Sequence, residues 1–496
     1  MNSSSNLSNS LKSPFVKKVL KGSFWLTLGS ILSKGLVALA YLVLARILTV
    51  DAYGEYGMIK STIDNFLIFA SLGVGLTTTK YISELRKEYK EQASSILGTS
   101  LLVVGLLSLI VFLVLLLFSD YISSVILSNP TLETPLLLAG GVLIFVAMNG
   151  VILGAYLGMQ EYRQVAIVNI IQGILLFGLL CAGGYYYGVV GAVLGNLLAM
   201  ATVSLISFYI LRKRVKRIGL KISIADFNSS LKTIYRFAIP ASMGMILVAP
   251  SVWLLNTWLV NTPNGYYELG VYSAVMVFSM AIRTVNTSLS DTLLPIFLSN
   301  DTEYSAKKEF FNYHGPWLVC LAISMPLLLY PEMTLLFLGD KYPADSVIPI
   351  TIISALMVLF IAPKQGISRD MIKKSRMWLT VLSTGIFVLT TLISFYFLES
   401  LGAIGFALAF LLGYSISTFV VIPLFSYLKV SPSFVFKNIW LLVILGLVII
   451  ICYNSLYVDY FWLRTILAFI LVVLLIFSLM KFYSSFIKKT EIGCSR

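Results

Sequence analysis

The sequence predicts an all-α polytopic membrane protein. About fourteen transmembrane helices form two six-helix lobes around a central cavity, with two further helices towards the C-terminus. Three observations predict it. Hydrophobic residues make up 58% of the 496-residue chain and charged residues 12%, with a mean hydropathy of +0.92; this is not the composition of a soluble enzyme. Apolar stretches long enough to cross a hydrocarbon core of ~30 Å recur along the whole chain. Two pairs of segments, one in each half, match each other in register.

The polar, basic opening (1–23) reads as a cytoplasmic lead-in. The first apolar stretch is too long for a cleaved signal peptide and ends at Arg46, so it is expected to stay as the first helix. Spans follow at approximately 24–46, 60–80, 96–118, 136–157, 166–187, 189–211, 237–260, 271–291, 316–337, 346–363, 377–397, 402–427, 438–456 and 463–482. Spans five and six are separated only by a Tyr/Gly turn at Tyr185–Gly188. The domain reading is an N-lobe over 24–211, a basic connector over 212–236, a C-lobe over 237–427, a final helix pair over 428–482 and a tail over 483–496.

Loop charges test this span count. With a cytoplasmic N-terminus, thirty of the 36 Lys and Arg fall in inner segments. Only Arg46, Lys60, Lys341 and Arg464 fall in outer ones, and Lys34 and Arg283 lie within spans. That bias places both termini inside, and a miscounted span would have scrambled it. The net charge of +14 therefore reports topology, and no nucleic-acid partner is expected. The connector Arg212–Arg236 reads as an anchor on anionic headgroups, carrying a short amphipathic helix.

The repeat supplies the lobes. Tyr53–Ser83 aligns without gaps to Leu269–Ser299, with Gly54 on Gly270 and Tyr56 on Tyr272. Gly188–Ala199 aligns to Gly402–Gly413, with Gly188 on Gly402 and Gly191 on Gly405. An even number of spans per repeat gives both units the same orientation. Two such lobes enclosing a cavity is a transporter plan, with the substrate near the midplane.

A cation inside a membrane costs about 2.5–3.5 kcal/mol on insertion scales, so each one needs a reason. Lys34 sits in span one on a polar stripe with Ser23, Thr27, Ser30, Tyr41 and Ala45, at spacings of three, four or seven. Arg283 sits in span eight on a similar stripe with Tyr272, Ser279, Asn286 and Ser290. Both fall near mid-bilayer, one in each lobe. Two such cations facing one cavity would hold an anion such as pyrophosphate, for which the Arg fork and the Lys point charge are suited. The alternative is structural pairing, of Lys34 with Asp64 and, awkwardly, of Arg283 with Asp291.

Asp64 and Asn65 enter span two near the outer face, Asp64 as a counter-ion or a coupling carboxylate. Ser30, Tyr41, Asp64, Asn256, Ser279 and Asn286 are candidate cavity-lining residues. Asn149, Asn169, Gln172 and Asn256 suit either cavity lining or interhelical hydrogen bonding. Pro240, Pro250 and Pro295 are candidate helix bends. Tyr185, Tyr186 and Tyr187 fit an interfacial aromatic belt. The cysteines Cys181, Cys320, Cys452 and Cys494 include no CxxC, and the first three read as small buried hydrophobes. His314, the single histidine, reads as a loop residue, so neither a metal site nor His-based catalysis is expected.

The opening GSFWLTLGSILSKGLVALAYLVLARILTVDAYGEYG and the following LGVGLTTTKYIS resemble the polysaccharide transporters of the MOP flippase superfamily, and among these the Wzx-type flippases. The resemblance covers nearly the whole chain, including the 6 + 6 + 2 arrangement. It implies transfer of an undecaprenyl-pyrophosphate-linked oligosaccharide repeat from the inner to the outer leaflet of a bacterial inner membrane, for surface polysaccharide such as O-antigen or capsule. Lys34 and Arg283 fit that family's cationic cavity, and spans thirteen and fourteen would border a groove for the polyprenyl tail. The implied partners are the lipid-linked oligosaccharide, membrane lipid and polysaccharide polymerase or export machinery, around a monomer. No cofactor is implied beyond a coupling ion, H+ or Na+. Span one carries Lys34 without the neighbouring acid and extra arginines of lipid II flippases, which points away from the peptidoglycan precursor.

The rivals are a MATE-type cation-coupled antiporter, a lipid II flippase, a membrane enzyme and a passive channel. A cationic-drug cavity wants a midplane carboxylate, and Asp64 is the best available. Polymerases and lipid-linked glycosyltransferases need sizeable loops, whereas the outer loops here are short. No nucleotide-binding loop appears, so any drive comes from gradients, membrane potential or downstream consumption.

Overall fold

A computed structural model describes residues 14–298, 306–373, 376, 378–428, 439–458 and 461–494. The side chains of Ser23, Thr27, Ser290, Asp291 and Pro295, named in the sequence reading, lie outside the described residues. The chain divides into two compact units, Met1–Tyr266 and Tyr267–Arg496. The helices are α1 (Pro14–Ile47), α2 (Val50–Ser71), α3 (Val74–Leu85), α4 (Lys90–Tyr121), α5 (Glu133–Gly158), α6 (Tyr162–Arg217), α7 (Phe227–Val260), α8 (Gly265–Leu298), α9 (Ala306–Leu329), α10 (Met333–Leu338), α11 (Ala344–Ile361), α12 (Lys364–Lys373), α13 (Leu379–Leu398), α14 (Gly402–Tyr427), α15 (Ile439–Tyr457) and α16 (Phe461–Cys494). Among the described residues nine helices are long and apolar enough to cross a membrane, or ten if the bent pair α2–α3 is one span.

Two of those long segments each fold back on themselves. Within α6, Tyr187 and Gly188 leave the helical region, Gly188 at φ 59°, ψ −138°. A Cβ on Gly195 would lie 2.1 Å from the carbonyl oxygen of Leu179, so the chain reverses there and α6 is a helical hairpin. The segment Leu379–Tyr427 reverses at Gly402, φ 55°, ψ −129°. Both are regions of φ/ψ space that only glycine occupies readily. The two hairpins, the bent pair and the shorter apolar helix over Val443–Leu456 raise the number to thirteen among the described residues, consistent with about fourteen spans.

In the first unit, small residues let helices meet closely. Gly29 and Ser33 of α1 lie against Ala166 and Gly173 of α6, and Thr79 of α3 donates to the Gly154 carbonyl at 3.0 Å. Helix α7 falls within this compact unit. The reason is polar as well as apolar. Trp253 Nε1 donates to Thr62 Oγ1 at 3.0 Å and Asn256 Nδ2 donates to Ser61 Oγ at 2.7 Å, fastening α7 to α2. Pro240 and Pro250 lie inside α7.

The basic connector also differs from its expected form. Helix α6 runs on to Arg217, and the chain after it lies on the start of α4 instead of forming its own amphipathic helix. Ser94 Oγ accepts from the Lys221 amide at 3.0 Å, Ser95 Oγ accepts from the Asp226 amide at 3.2 Å, and Ser95 and Ser230 hydroxyls are 2.9 Å apart. Extended backbone needs partners for its N–H groups, and these serines supply them.

The second unit is built around an apolar cluster that includes Tyr313, Trp317, Leu321, Val358, Leu475 and Phe482. Its last helices are tied down by Arg464 of α16, which grips Glu332 with N–O distances of 2.5 and 3.1 Å and also donates to the Leu329 carbonyl. His314 is not in a loop: it is buried within α9, with its ring 4.8 Å from that of Phe482.

Candidate functional site

Helix α1 has three faces. One packs on α6 through Gly29, Ser33 and Leu44. A second carries exposed Leu28, Ile31, Leu32 and Leu39, the kind of surface lipid covers. Between them runs the polar stripe, with Lys34 exposed and Ser30 and Tyr41 half-buried. The Tyr41 ring lies 6.2 Å from that of Tyr56 on α2.

Helix α2 starts earlier than the sequence suggests. Thr49 caps it, accepting from the Ala52 amide at 3.2 Å, with Asp51 in the first turn; both features favour initiation there. The helix ends where Leu72 adopts φ 41° and Gly73 φ 68°, and α3 continues at a bend of 43°. Lys60 is therefore not an outer-loop residue. It lies about ten residues, or ~15 Å, into α2. Asp64 and Asn65 are likewise well inside the helix rather than at its entry. Lys60 Nζ and Asp64 Oδ2 are 2.6 Å apart, with side-chain exposures of 38% and 57%. Among the described residues, the ion-pair partner of Asp64 is Lys60.

The sequence reading missed Lys60. The available signal was the spacing Tyr53, Tyr56, Ile59, Ile63, which is helical and begins seven residues before Lys60. All four of those side chains are buried.

Helix α8 carries Arg283. Over Gly265–Thr287 its exposed residues are Ala281 and Arg283. Ser279 and Asn286, expected beside Arg283, are both buried, with Ser279 Oγ and Asn286 Oδ1 lacking a hydrogen-bond partner among the described residues. Asn256 is buried and engaged with Ser61. No carboxylate among the described residues comes within ion-pairing distance of Lys34 or Arg283. Nor do the described residues hold a group of three or more His, Cys, Asp or Glu able to bind a metal ion. Of these cations, Lys60 is paired with Asp64, whereas Lys34 and Arg283 have no carboxylate within ion-pairing distance among the described residues.

Residues 19–300 match the family described as "Polysaccharide biosynthesis protein". The chain belongs to that family. A curated relative, the EPS I polysaccharide export inner membrane protein EpsE of Ralstonia nicotianae, is 24% identical over 289 residues, covering 57% of this chain and 64% of the relative. The chain thus spans less than two thirds of the length of that relative.

Among solved structures, an inward-facing multidrug resistance MATE family transporter of the MOP superfamily matches with a TM-score of 0.63 at 18% identity, over 82% of this chain and 96% of that one. A MOP superfamily transporter from Pyrococcus furiosus, whose binding pocket is described as having reverse polarity, matches with a TM-score of 0.57 at 19% identity, over 84% and 95%. This polysaccharide biosynthesis family member therefore shares the fold of those solved structures, with helices among the described residues long and apolar enough to cross a membrane.

Proposed function

We propose that the protein is a flippase that carries an undecaprenyl-pyrophosphate-linked oligosaccharide repeat from the cytoplasmic to the outer leaflet of a bacterial inner membrane by alternating access. The observation that carries this reading is the setting of the intramembrane cations in a member of a polysaccharide biosynthesis family. Lys34 and Arg283 are exposed on helices long enough to span a bilayer, with no carboxylate paired to either among the described residues. A diphosphate bearing several sugars cannot cross hydrocarbon, because it would lose the hydration of its charge and hydroxyls. Fixed cations and hydroxyl or amide groups substitute for that water while the polyprenyl tail stays in lipid. The inner-membrane relative in polysaccharide export supports the location.

A MATE-type antiporter for cationic compounds has less support, despite the shared fold. The fold is common to both readings, whereas the family matched over residues 19–300 is one of polysaccharide biosynthesis.

The test is reconstitution of the full chain in vesicles with a short-chain lipid-linked saccharide. An impermeant enzyme or oxidant added outside reads how much saccharide becomes accessible with time. Faster exposure than in empty vesicles supports the reading, and equal rates reject it.

A further inference from the structure

Helix α2 is unlike the lipid-facing helices of its unit. On α4, exposed apolar side chains run from Leu106 to Phe118, reaching 74% at Leu117. On α2 the only large apolar side chain exposed is Phe69, at 40%. Around the level of Lys60, the positions Met58, Ile59, Thr62, Ile63 and Asn65 are buried and close most of the circumference. At 100° per residue, what remains open is one arc holding Gly57, Lys60 and Asp64, bordered by Ser61, which Asn256 of α7 engages. A surface covered by acyl chains would carry apolar side chains there, not an ion pair. The arc therefore opens on a hydrated space.

The pair in that arc is a poor structural device. A Lys followed by an Asp four residues later is the less favourable order for an i,i+4 pair, and such partly exposed pairs stabilise a helix only slightly. The bond is short, yet both groups remain reachable from the open arc. Lys34 stands on the neighbouring polar stripe of α1, two turns from Tyr41, whose ring approaches Tyr56 of α2.

We propose that Asp64 is a built-in stand-in anion for Lys60, which exchanges this carboxylate for a phosphate of the transported lipid diphosphate. In the unloaded protein Asp64 keeps Lys60 paired, sparing it the cost of an uncompensated cation inside the membrane. When a diphosphate enters, its oxygens accept from the Lys60 ammonium and Asp64 is released to water and to Ser61 beside it. The exchange makes binding reversible: a cation held by an internal competitor grips its ligand less tightly and lets go of it sooner. This inference rests on the diphosphate-bearing substrate proposed for the whole protein.

The experiment uses the full chain in nanodiscs and measures binding of undecaprenyl diphosphate, with undecaprenol as the uncharged reference. Size-exclusion profiles and melting curves verify that each variant is folded, and Lys60→Arg should retain binding. Lys60→Ala should weaken diphosphate binding by roughly tenfold, the loss of one charge-assisted contact. Asp64→Asn should tighten it several-fold, but only where Lys60 is present; in Lys60→Ala/Asp64→Asn the gain disappears. Unchanged binding in Lys60→Ala, with the wild type still preferring the diphosphate, overturns this inference and leaves the proposed function standing. An equal gain from Asp64→Asn without Lys60 means general repulsion and overturns the exchange. A wild type that does not distinguish the two lipids overturns both.

Discussion

Gly188 and Gly402 hold the same backbone conformation, φ 59°, ψ −138° and φ 55°, ψ −129°, at the points where two helical hairpins reverse. They are also the positions that coincide when the two halves of the sequence are aligned. Each is followed by a glycine three residues on, where a Cβ would lie about 2 Å from a carbonyl oxygen across the turn: Gly183 for Gly191 and Leu398 for Gly405. A repeated local sequence has thus produced a repeated local structure.

The two reversals allow backbone and side-chain costs to be separated. A Cβ on Gly188 meets nothing within 4 Å, whereas one on Gly402 would lie 2.6 Å from the Glu268 carboxyl group. Glu268 also accepts from the Ala403 amide at 2.7 Å, at the start of α14. Gly188→Ala should cost about 1–3 kcal/mol from conformation alone. Gly402→Ala should cost more, because the Glu268 contact must also break. Denaturation midpoints of the two variants in the same detergent give the comparison.

Docking of the connector on α4 is checked by Ser95→Cys/Ser230→Cys in a background without the native cysteines. With the hydroxyls 2.9 Å apart, mild oxidation should form a disulfide, read as the loss of two maleimide-reactive thiols. Two thiols that stay reactive would mean that the connector leaves α4.

Arg464→Ala should destabilise the second unit by ~1.5–3 kcal/mol, the range for hydrogen bonds to charged groups. The loss is larger than for a surface pair because the Arg464 side chain is 11% exposed and holds both Glu332 and the Leu329 carbonyl. Arg464→Lys should recover only part of it, since an ammonium cannot reproduce the two-pronged grip. Thermal melts of the three proteins check this.

Asn256→Ala should loosen α7 from α2 by roughly 0.6 kcal/mol, the typical value for an interhelical hydrogen bond in a membrane. Trp253→Phe removes the bond to Thr62 and should add a similar loss. Hydrogen exchange along α7 reads both.

Much of the fold was legible because membrane helices advertise themselves through long apolar runs, and because Gly188 and Gly402 mark reversals that other residues resist. The start of α2 was not. Asp51, Glu55 and Lys60 dilute the hydropathy of its first half, and Gly54 and Gly57 read as turn residues; only the cap at Thr49 and the buried Tyr53, Tyr56 and Ile59 reveal the helix. Lys60 was consequently counted as a loop charge. His314 was misplaced for a similar reason, since KKEFFNYHGPW is too polar at its start to resemble a span, yet its aromatic residues bury the imidazole. The side of α7 that packs on α2 was invisible, because Trp253–Thr62 and Asn256–Ser61 are contacts between residues some 190 positions apart.

The central claim is that intramembrane cations carry a lipid-linked diphosphate across the bilayer. Its most direct test is a leaflet-resolved measurement of lipid-linked repeats in cells whose own copy is deleted and replaced by wild type, Lys34→Ala or Arg283→Ala, at equal membrane abundance. The account predicts that repeats reach the outer leaflet with wild type and stay on the cytoplasmic leaflet with either variant. Outer-leaflet repeats at the wild-type level in the deletion strain, or in both variants, would contradict it.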